Sequence, residues 1–425
     1  MRHRVRELLK DLLIILLALS IVALTLLALP ARTLTQTPWL ASLLAPLTSV
    51  LGMERIELTQ TQSQEADPAA SQPIAISVMG AAGRSSIGYD TAALDSAYAA
   101  LGSLLAQALD TAQPGQSSTR ARLYDALQDA QSVAFLYPGS IPAQAVAAWL
   151  GAELPDNAPA AWLYALSVQD GAVQLYLLGT DVWVYSTQLP ADALTQALSA
   201  YLPDGSFFAF ESAEPLYAQL DSCTLLPGTS PTVYAAAGQN PCDSRFVTTL
   251  ASALGFNPYG DASYTDDAGN RYFTETACSL QIYTDGRLRL RSRDAARFPA
   301  GATADSQISA ARALLTTLLT GVTSDARLYL TGTASTEDGS GTVYTFDYVL
   351  SGLRIAQTSG SGARVTIQDG HITEVDALLR SYTLTENTLT LLPAAQAAAI
   401  TPAGTQMQLC YAAGGTQQLT AGWTD

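Results

Sequence analysis

The sequence predicts an α+β fold, in which an N-terminal transmembrane helix precedes two or three domains built from antiparallel sheets and helices. The first observation is an uncharged apolar run at residues 12–29. The second is an apolar spacing of three and four residues in several segments, which is typical of amphipathic helices. The third is a long series of short alternating segments separated by Gly, Asp and Asn, which is typical of strands joined by tight turns. At 425 residues, the chain is also too long for one ordinary core.

The apolar run is long enough to cross a bilayer, since about 18 to 20 helical residues span a hydrocarbon core about 30 Å thick. Arg2, Arg4, Arg6 and Lys10 precede it, and basic residues favour the cytoplasmic side. We therefore expect a single-pass protein of the cell membrane, with a cytoplasmic tail at residues 1–11, a transmembrane helix at 12–30 and the bulk of the chain outside the cell. A cleaved signal peptide is the alternative, although Pro30 makes the exit a poor cleavage pattern.

The composition restricts the partners and the chemistry of the exported part. The formal net charge is -16, which disfavours nucleic acid as a partner, and an acidity that only keeps an exported protein soluble is the simpler explanation. Lys10 is the only lysine, which excludes Schiff-base and Ser-Lys mechanisms outside the membrane. His371 is the only histidine after the predicted span, so a His-based metal cluster is excluded there.

The exported part divides by composition and by the order of its predicted elements. Residues 31–72 are rich in Thr, Gln, Ser, Pro and Ala, which predicts a juxtamembrane linker. We then expect a first α+β domain at 73–212, a middle hairpin-rich domain at 213–300 and a C-terminal α+β domain at 301–425. A helix followed by hairpins occurs in both later segments, without a clear sequence repeat.

The first domain is predicted to alternate helices with strands. Ser118 or Thr119 can cap its second helix, and Gly151 can end a short helix that starts at Pro142. The predicted elements are a strand at 74–78, a helix at 91–112, a helix around Leu123 and Leu127, a strand at 133–137, a short helix at 142–149, an antiparallel meander at 162–168, 173–178 and 182–186, a helix at 191–201 and an aromatic strand at 207–210.

The later segments are predicted to be dominated by hairpins. In residues 280–290, Leu280, Ile282, Leu288 and Leu290 alternate with polar residues, which predicts a half-exposed sheet. A turn is expected at Glu386-Asn387. The predicted elements are a strand at 232–236, a helix at 246–254, hairpins at 264–272 and 280–290, a helix at 308–319, strands around 328 and at 344–350, 353–356, 365–367 and 372–375, a short helix at 394–399 and a last hairpin at 407–423.

Four cysteines lie in the exported part, where disulfides can persist. They are Cys223, Cys242, Cys278 and Cys410. Their spacing forms no CxxC pattern, which favours a structural use over a zinc site. A pairing of Cys223 with Cys242 and of Cys278 with Cys410 is one option, and four buried free thiols are the other.

The densest carboxylates of the sequence are explained by turns. Asp261, Asp266, Asp267 and Glu275 could suggest a calcium loop or an acid/base pair, but the EF-hand spacing is missing. Because Asp266 and Asp267 lie between two tyrosine-rich strands, we interpret this segment as a hairpin turn.

A second charged group is the stripe formed by Arg287, Arg289, Arg291 and Arg293, which predicts internal ion pairs or, alternatively, an acidic partner. His371 follows an Asp-Gly turn and has no accompanying nucleophile pattern. We therefore predict no catalytic residue, no cofactor and no metal, and a protein that is not an enzyme.

Several segments, in their order along the chain, carry a resemblance to a known family. They are SVAFLYPGSIP at 132–142, PTVY at 231–234, the hairpins containing YTDDAG and LQIYTDGRLRL, YTFDY at 344–348, VTIQDGHI at 365–372 and LCY at 409–411 ahead of Leu419 and Trp423. Together with the N-terminal anchor, this order resembles YycH, and the C-terminal part is similar to its relative YycI. These are membrane-anchored extracytoplasmic regulators of the WalK (YycG) sensor histidine kinase in Gram-positive bacteria.

The resemblance implies a regulator without enzymatic activity, whose span contacts the spans of the kinase. Ala18 and Thr25 lie seven residues apart on one helix face, where small residues permit close helix contact. With Ile21 and Val22, they form the predicted partner-contact surface. The implied partners are a sensor histidine kinase and a related single-pass regulator. The alternative is an exported cell-envelope binding or assembly module, for which the helix serves only as a tether.

Overall fold

The computed structural model describes residues 71–155, 158–357, 360–412 and 418–424, which form a mixed α+β structure with mostly antiparallel sheets. The predicted fold class is confirmed at this level. The chain divides between Leu58 and Thr59, and all described residues belong to the second unit. Within the described ranges, no helix is long and apolar enough to cross a membrane. The predicted span and cytoplasmic tail lie outside those ranges, as does nearly all of the predicted linker.

The first sheet is made by the segment in which the sequence predicts the meander. Its seven strands are β1 (Ala75–Gly80), β2 (Gly83–Ile87), β3 (Gln116–Ser118), β4 (Ser132–Pro142), β5 (Ala160–Gln169), β6 (Ala172–Leu178) and β7 (Val182–Pro190). Their spatial order is β2-β1-β4-β5-β6-β7-β3, and every pairing is antiparallel. The predicted meander is therefore β5-β6-β7, and β2 and β3 are edge strands that the sequence did not indicate.

Both faces of this sheet are buried, because successive side chains of a strand point to opposite faces. Val133 and Phe135 belong to the core that includes the first helix, whereas Ala134 and Leu136 belong to the core that includes the second. The helices of this part are α1 (Thr91–Asp110), α2 (Arg120–Gln128), α3 (Ala143–Trp149) and α4 (Ala191–Leu198). Thr119 caps α2, as the sequence predicts, by accepting a hydrogen bond from the Arg122 N–H.

A short connecting segment follows the first sheet. It contains β8 (Phe207–Phe208), a 3₁₀ turn (Ala209–Glu211), α5 (Pro215–Ala218) and β9 (Leu225–Leu226), and β8 pairs with β9. The predicted strand at 207–210 is thus only two residues long. Its end is fixed by the Glu211 carboxylate, which accepts a hydrogen bond from the Phe208 N–H and bends the chain into the 3₁₀ turn.

The second sheet has thirteen strands within the described residues. They are β10 (Val233–Gln239), β11 (Ser263–Thr265), β12 (Arg271–Thr274), β13 (Cys278–Ile282), β14 (Arg287–Ser292), β15 (Arg327–Ser335), β16 (Gly341–Leu350), β17 (Leu353–Ala356), β18 (Ala363–Gln368), β19 (His371–Leu378), β20 (Ser381–Leu389), β21 (Gln408–Ala412) and β22 (Gln418–Thr424). The order is β11-β12-β13-β14-β19-β18-β16-β17-β21-β22-β10-β20, with β15 on β16. Its pairings are antiparallel except for the parallel pair β17-β21.

Three helices accompany this sheet, namely α6 (Ser244–Ala253), α7 (Ala304–Leu318) and α8 (Ala394–Ile400). The leucines and the isoleucine of the predicted alternation are buried in the same core as α6 and α7, so one face of β13-β14 is covered and the other is polar, as predicted. The sheet joins residues on both sides of the predicted boundary at 300/301, because β14 pairs with β19. The division of 73–425 into domains stays a prediction.

The two sheets share one core. The cluster that contains Leu101 of α1 also contains Leu290 of β14. At the junction, the Arg312 guanidinium lies 5.1 Å from the Trp149 ring centroid. The backbone of β4 also approaches β15 closely, since a Cβ on Gly139 would lie 1.9 Å from the Thr331 carbonyl oxygen.

Strand β20 closes one end of the strand order, and the expected turn at Glu386-Asn387 is wrong, because both residues lie inside this strand. They fall at an irregularity of the pairing with β10, between the Leu384–Ala236 and Thr388–Tyr234 pairs, which hold the strand on either side of them. The first half of its free edge is covered. The Asp325 N–H donates to the Tyr382 carbonyl at 2.8 Å, and the Asp325 carboxylate accepts from the Leu384 N–H at 2.9 Å.

Candidate functional site

A groove of about 730 Å³ lies where the start of α1 meets the β10-β20 end of the second sheet. Five chain segments line it, at residues 88–92, 231–234, 324–327, 351 and 384. Tyr234 and Leu384 contribute exposed apolar surface, with 44% and 36% of their area accessible. Large exposed apolar side chains that lie together in a groove are typical of contact sites for other molecules.

Backbone strain occurs beside this groove at Tyr89, whose φ of 63° lies in the left-handed region that residues other than glycine rarely adopt. Ser351, with a φ of 52°, forms with Gly352 the two-residue turn that joins β16 to β17, where a positive φ is ordinary. The backbone of Gly352 lies close to that of Ile74 and Tyr89, so a Cβ on Gly352 would lie 2.9 Å from the Ile74 carbonyl oxygen. Such strain costs on the order of 1–3 kcal/mol per residue and persists only where the surrounding structure imposes it.

The charges of the groove are mostly negative. The Asp90 carboxylate caps α1 by accepting hydrogen bonds from the N–H groups of Ala92 and Ala93, at 2.9 and 3.1 Å. Asp325 adds a second carboxylate, and Arg327 forms an ion pair with Asp95 at 3.5 Å. Burial raises the pKa of the Tyr89 hydroxyl to about 12, so this group is a neutral hydrogen-bond donor at physiological pH. The groove therefore suits an apolar segment that carries donors or positive charge.

The predicted partner-contact residues of the span cannot be compared with this groove. Ala18, Ile21, Val22 and Thr25 lie outside the described residues.

The four cysteines are free thiols. Cys223, Cys278 and Cys410 are buried and Cys242 is half-buried. The Cys278 sulfur lies 3.2 Å from the Ser292 hydroxyl oxygen, which provides it with a local polar contact. Three of the four thiols are thus buried as in the free-thiol option, whereas Cys242 differs from it.

The carboxylates of the β11-β12 hairpin act as turn residues. Asp266 accepts hydrogen bonds from the N–H groups of Ala268 and Asn270 and from the Tyr272 hydroxyl. The hydrogen bond from the Asn270 side chain is the main cause that lowers the pKa of Asp266. Among the described residues, no group of three or more His, Cys, Asp or Glu side chains is arranged to hold a metal ion.

The arginine stripe forms ion pairs on the outer face of the second sheet. Arg289 contacts Asp376 at 2.6 Å, and Arg291 contacts Glu374 at 3.0 Å. Arg287 lies 3.4 Å from its neighbour Asp285. Three of the four arginines therefore have the internal partners that the sequence predicts. The fourth, Arg293, follows the end of β14.

Two further candidates have structural explanations. The His371 ring lies at a turn, with Nδ1 3.5 Å from the Asp369 carbonyl oxygen, as the Asp-Gly pattern predicts. Arg84 is 5% exposed and donates hydrogen bonds to Glu211, to the Ser77 hydroxyl and to the Leu127 carbonyl. Because Arg84 bonds to Ser77 of β1 and to the Leu127 carbonyl of α2 as well as to Glu211, the buried Arg84–Glu211 ion pair fixes the packing of the first sheet on α2.

Sequence reasoning missed the groove for a physical reason. Its lining segments are separated by up to almost three hundred residues, and Tyr89 belongs to no turn pattern. The local signals were Asp90, a favourable cap directly before the predicted helix at 91–112, and the Ser351-Gly352 turn between two strands, and neither indicates a groove. Comparisons of the chain with family models, curated proteins and solved structures find no match.

Proposed function

We propose that the chain is a membrane-anchored extracytoplasmic regulator of a two-component sensor histidine kinase, without enzymatic activity. In this proposal, the transmembrane helix at residues 12–30 holds the protein at the cell membrane with its N-terminus inside. Two or three α+β domains outside the membrane receive the signal. The family resemblance to YycH and YycI supports the kinase as the partner, and the acidic exported part disfavours nucleic acid.

The observation that carries the proposal is the strained, partly apolar groove around Tyr89, Tyr234 and Leu384. It offers a contact site for a polypeptide segment outside the membrane. Regulation then requires two kinase states that differ in their affinity for this protein. Contacts of the span, through the face of Ala18, Ile21, Val22 and Thr25, and contacts of the groove would both contribute to that difference.

The first experiment separates the contribution of the span from that of the exported part. Residues 12–29 are replaced by an unrelated spanning sequence, and the chain is co-expressed with a WalK-type kinase. Co-purification and kinase autophosphorylation are then measured. We expect both to change, because helix packing between spans depends on small residues. Unchanged co-purification together with unchanged kinase output would refute direct contact through the span.

The second experiment tests the groove with a matched control. Tyr234→Ala and Leu384→Ala each remove exposed apolar area that lines it, whereas Leu202→Ala removes a leucine elsewhere that is even more exposed, at 81%. Loss of exposed apolar contacts at a binding site weakens affinity by roughly 1 kcal/mol or more, or about fivefold. We expect weaker kinase binding for the two groove variants and unchanged binding for Leu202→Ala.

The alternative function is an exported module that binds the cell envelope and is only tethered by the helix. The flat aromatic surface on the outer face of β11 and β12, where Tyr264 is 58% exposed, favours it. A soluble exported part that retains full activity in cells would support this alternative over the kinase regulator.

A further inference from the structure

One row of side chains crosses the outer face of the second sheet at β11-β14. Tyr264 of β11 pairs with Tyr272 of β12, which is opposite Gln281 of β13, which is opposite Arg289 of β14. Because neighbouring strands lie about 4.8 Å apart, the row is roughly 14 Å long. The next residues along these strands, such as Leu280, point into the core, so the row faces solvent.

The aromatic end of the row is preorganised and exposed. The rings of Tyr264 and Tyr272 are stacked, with centroids 4.8 Å apart and planes inclined by 7°. The Tyr272 hydroxyl donates to the Asp266 carboxylate at 3.1 Å, which fixes that ring. Since β11 is the last strand at this end of the sheet, no further strand of the described residues covers the far face of the Tyr264 ring.

The polar end of the row is electrically balanced. Three guanidinium groups and three carboxylates form ion pairs there: Arg287 with Asp285, Arg289 with Asp376 and Arg291 with Glu374. These six paired groups carry no net charge, whereas the chain as a whole has a net charge of -16. Charged partners are selected by complementary potentials, which this face does not offer.

We propose that this face binds an uncharged polysaccharide, with one sugar ring stacked on Tyr264. A sugar ring has an apolar C–H face, which matches an aromatic ring face, and a rim of hydroxyl groups, which need donors and acceptors. Gln281 and the Tyr283 hydroxyl, which are hydrogen-bonded to each other at 2.8 Å, supply both kinds of group next to the tyrosine pair.

A protein partner fits this face less well. Protein interfaces have a desolvated apolar centre surrounded by a polar rim. Here the apolar surface is the Tyr264 and Tyr272 rings at the sheet edge, and the ion pairs of the arginine stripe lie to one side of them. The site also lies at the opposite end of the strand order from the groove of Tyr234 and Leu384. It can therefore be tested independently of the proposed kinase contact.

The test measures binding of the full chain, in a detergent without a sugar headgroup, to three uncharged hexasaccharides by calorimetry. The probes are β-1,4-linked N-acetylglucosamine, β-1,4-linked glucose and α-1,4-linked glucose. We expect at least one to bind and Tyr264→Ala to weaken it about two- to tenfold, the usual range for an aromatic contact. Tyr264→Phe keeps the ring and should keep the affinity. Tyr234→Ala, which removes an exposed tyrosine at the other end of the sheet, should leave it unchanged.

Two outcomes would overturn the proposal. The first is that none of the three hexasaccharides binds, and if Tyr264→Ala then also loses the kinase, this face belongs to a protein partner. The second is that Tyr264→Ala, with an unfolding midpoint equal to that of the parent chain, binds as well as the parent. Loss of kinase binding in Tyr234→Ala alone concerns the groove and leaves the sugar site intact.

Discussion

At the scale of single residues, burial controls the chemistry of the cysteines. Burial raises the pKa of the Cys223 thiol to about 12 and that of Cys242 to about 11, although the nearby Arg380 guanidinium acts in the opposite direction on Cys242. The thiolate is the reactive form of cysteine, so both thiols are poor nucleophiles near neutral pH. Cys242 differs from the other three in being partly accessible.

We expect a maleimide to label Cys242 first and slowly in the native chain, and Cys223, Cys278 and Cys410 only after unfolding. Because Cys242 has a pKa of about 11, its labelling rate should rise about tenfold per pH unit between roughly pH 7 and 9. Peptide mass spectrometry identifies the labelled residue. Denatured, unreduced protein should show four thiols, and a smaller number would demonstrate a disulfide.

The backbone conformation of a residue could be predicted where it depends only on the adjacent residues of the sequence. Asp369 has a φ of 48° and precedes Gly370, an Asp-Gly pair of the kind that tight hairpins require. Tyr89 has an equally unusual φ, but its conformation is imposed by a backbone segment around Gly352 that is distant in sequence. The candidate groove depends on such distant contacts, which explains why no motif indicated it.

At the scale of elements, helices were predicted more accurately than sheet partners. The helix predicted at 91–112 is α1 at Thr91–Asp110, because its apolar period and the Asp90 cap are both local signals. Strand β20 was missed around Glu386-Asn387, since the pairs that continue it on either side, Leu384–Ala236 and Thr388–Tyr234, involve β10, about 150 residues earlier. Strand pairing of this kind overrides local propensity.

The contact between β4 and β15 gives a prediction about an element junction. Gly139→Ala would place a Cβ 1.9 Å from the Thr331 carbonyl oxygen, so the strands must move apart. We expect the free energy of unfolding to fall by about 1–3 kcal/mol, as for other overpacked sites. Urea denaturation followed by tryptophan fluorescence measures it.

The matched control for this junction is Gly422→Ala, since nothing lies within 4 Å of the Cβ it would add. Its unfolding midpoint should stay close to that of the parent chain. Equal midpoints for the two variants would show that β4 and β15 are not in close contact.

At the scale of the whole molecule, the shared core predicts cooperative unfolding of the part of the chain that the structure describes. Leu101→Ala under the first sheet and Leu290→Ala under the second each remove a fully buried leucine of the same cluster. Each should lower the free energy of unfolding by about 2–5 kcal/mol. Because the core is continuous, we expect fluorescence and far-ultraviolet circular dichroism to report one common transition that shifts in both variants.

Separate transitions, each shifted by only one of these substitutions, would instead support the independent domains predicted at 73–212, 213–300 and 301–425. That division followed the order of helices and hairpins along the chain. The pairing of Leu290 with Val375 crosses the predicted boundary at 300/301 and joins residues that are 85 positions apart in the sequence. Periodicity indicates a strand but not its partner, so the continuity of the second sheet was not available from the sequence.

The covering of β20 by Asp325 has a consequence for how the protein behaves in crowded surroundings. An open strand edge is a template on which a second copy can add its own strand, and then a third, until a fibre forms. Here the positions that would start such growth, the Tyr382 carbonyl and the Leu384 N–H, are occupied by Asp325. One aspartate in the loop before β15 thus blocks the addition of a foreign strand over the first half of β20.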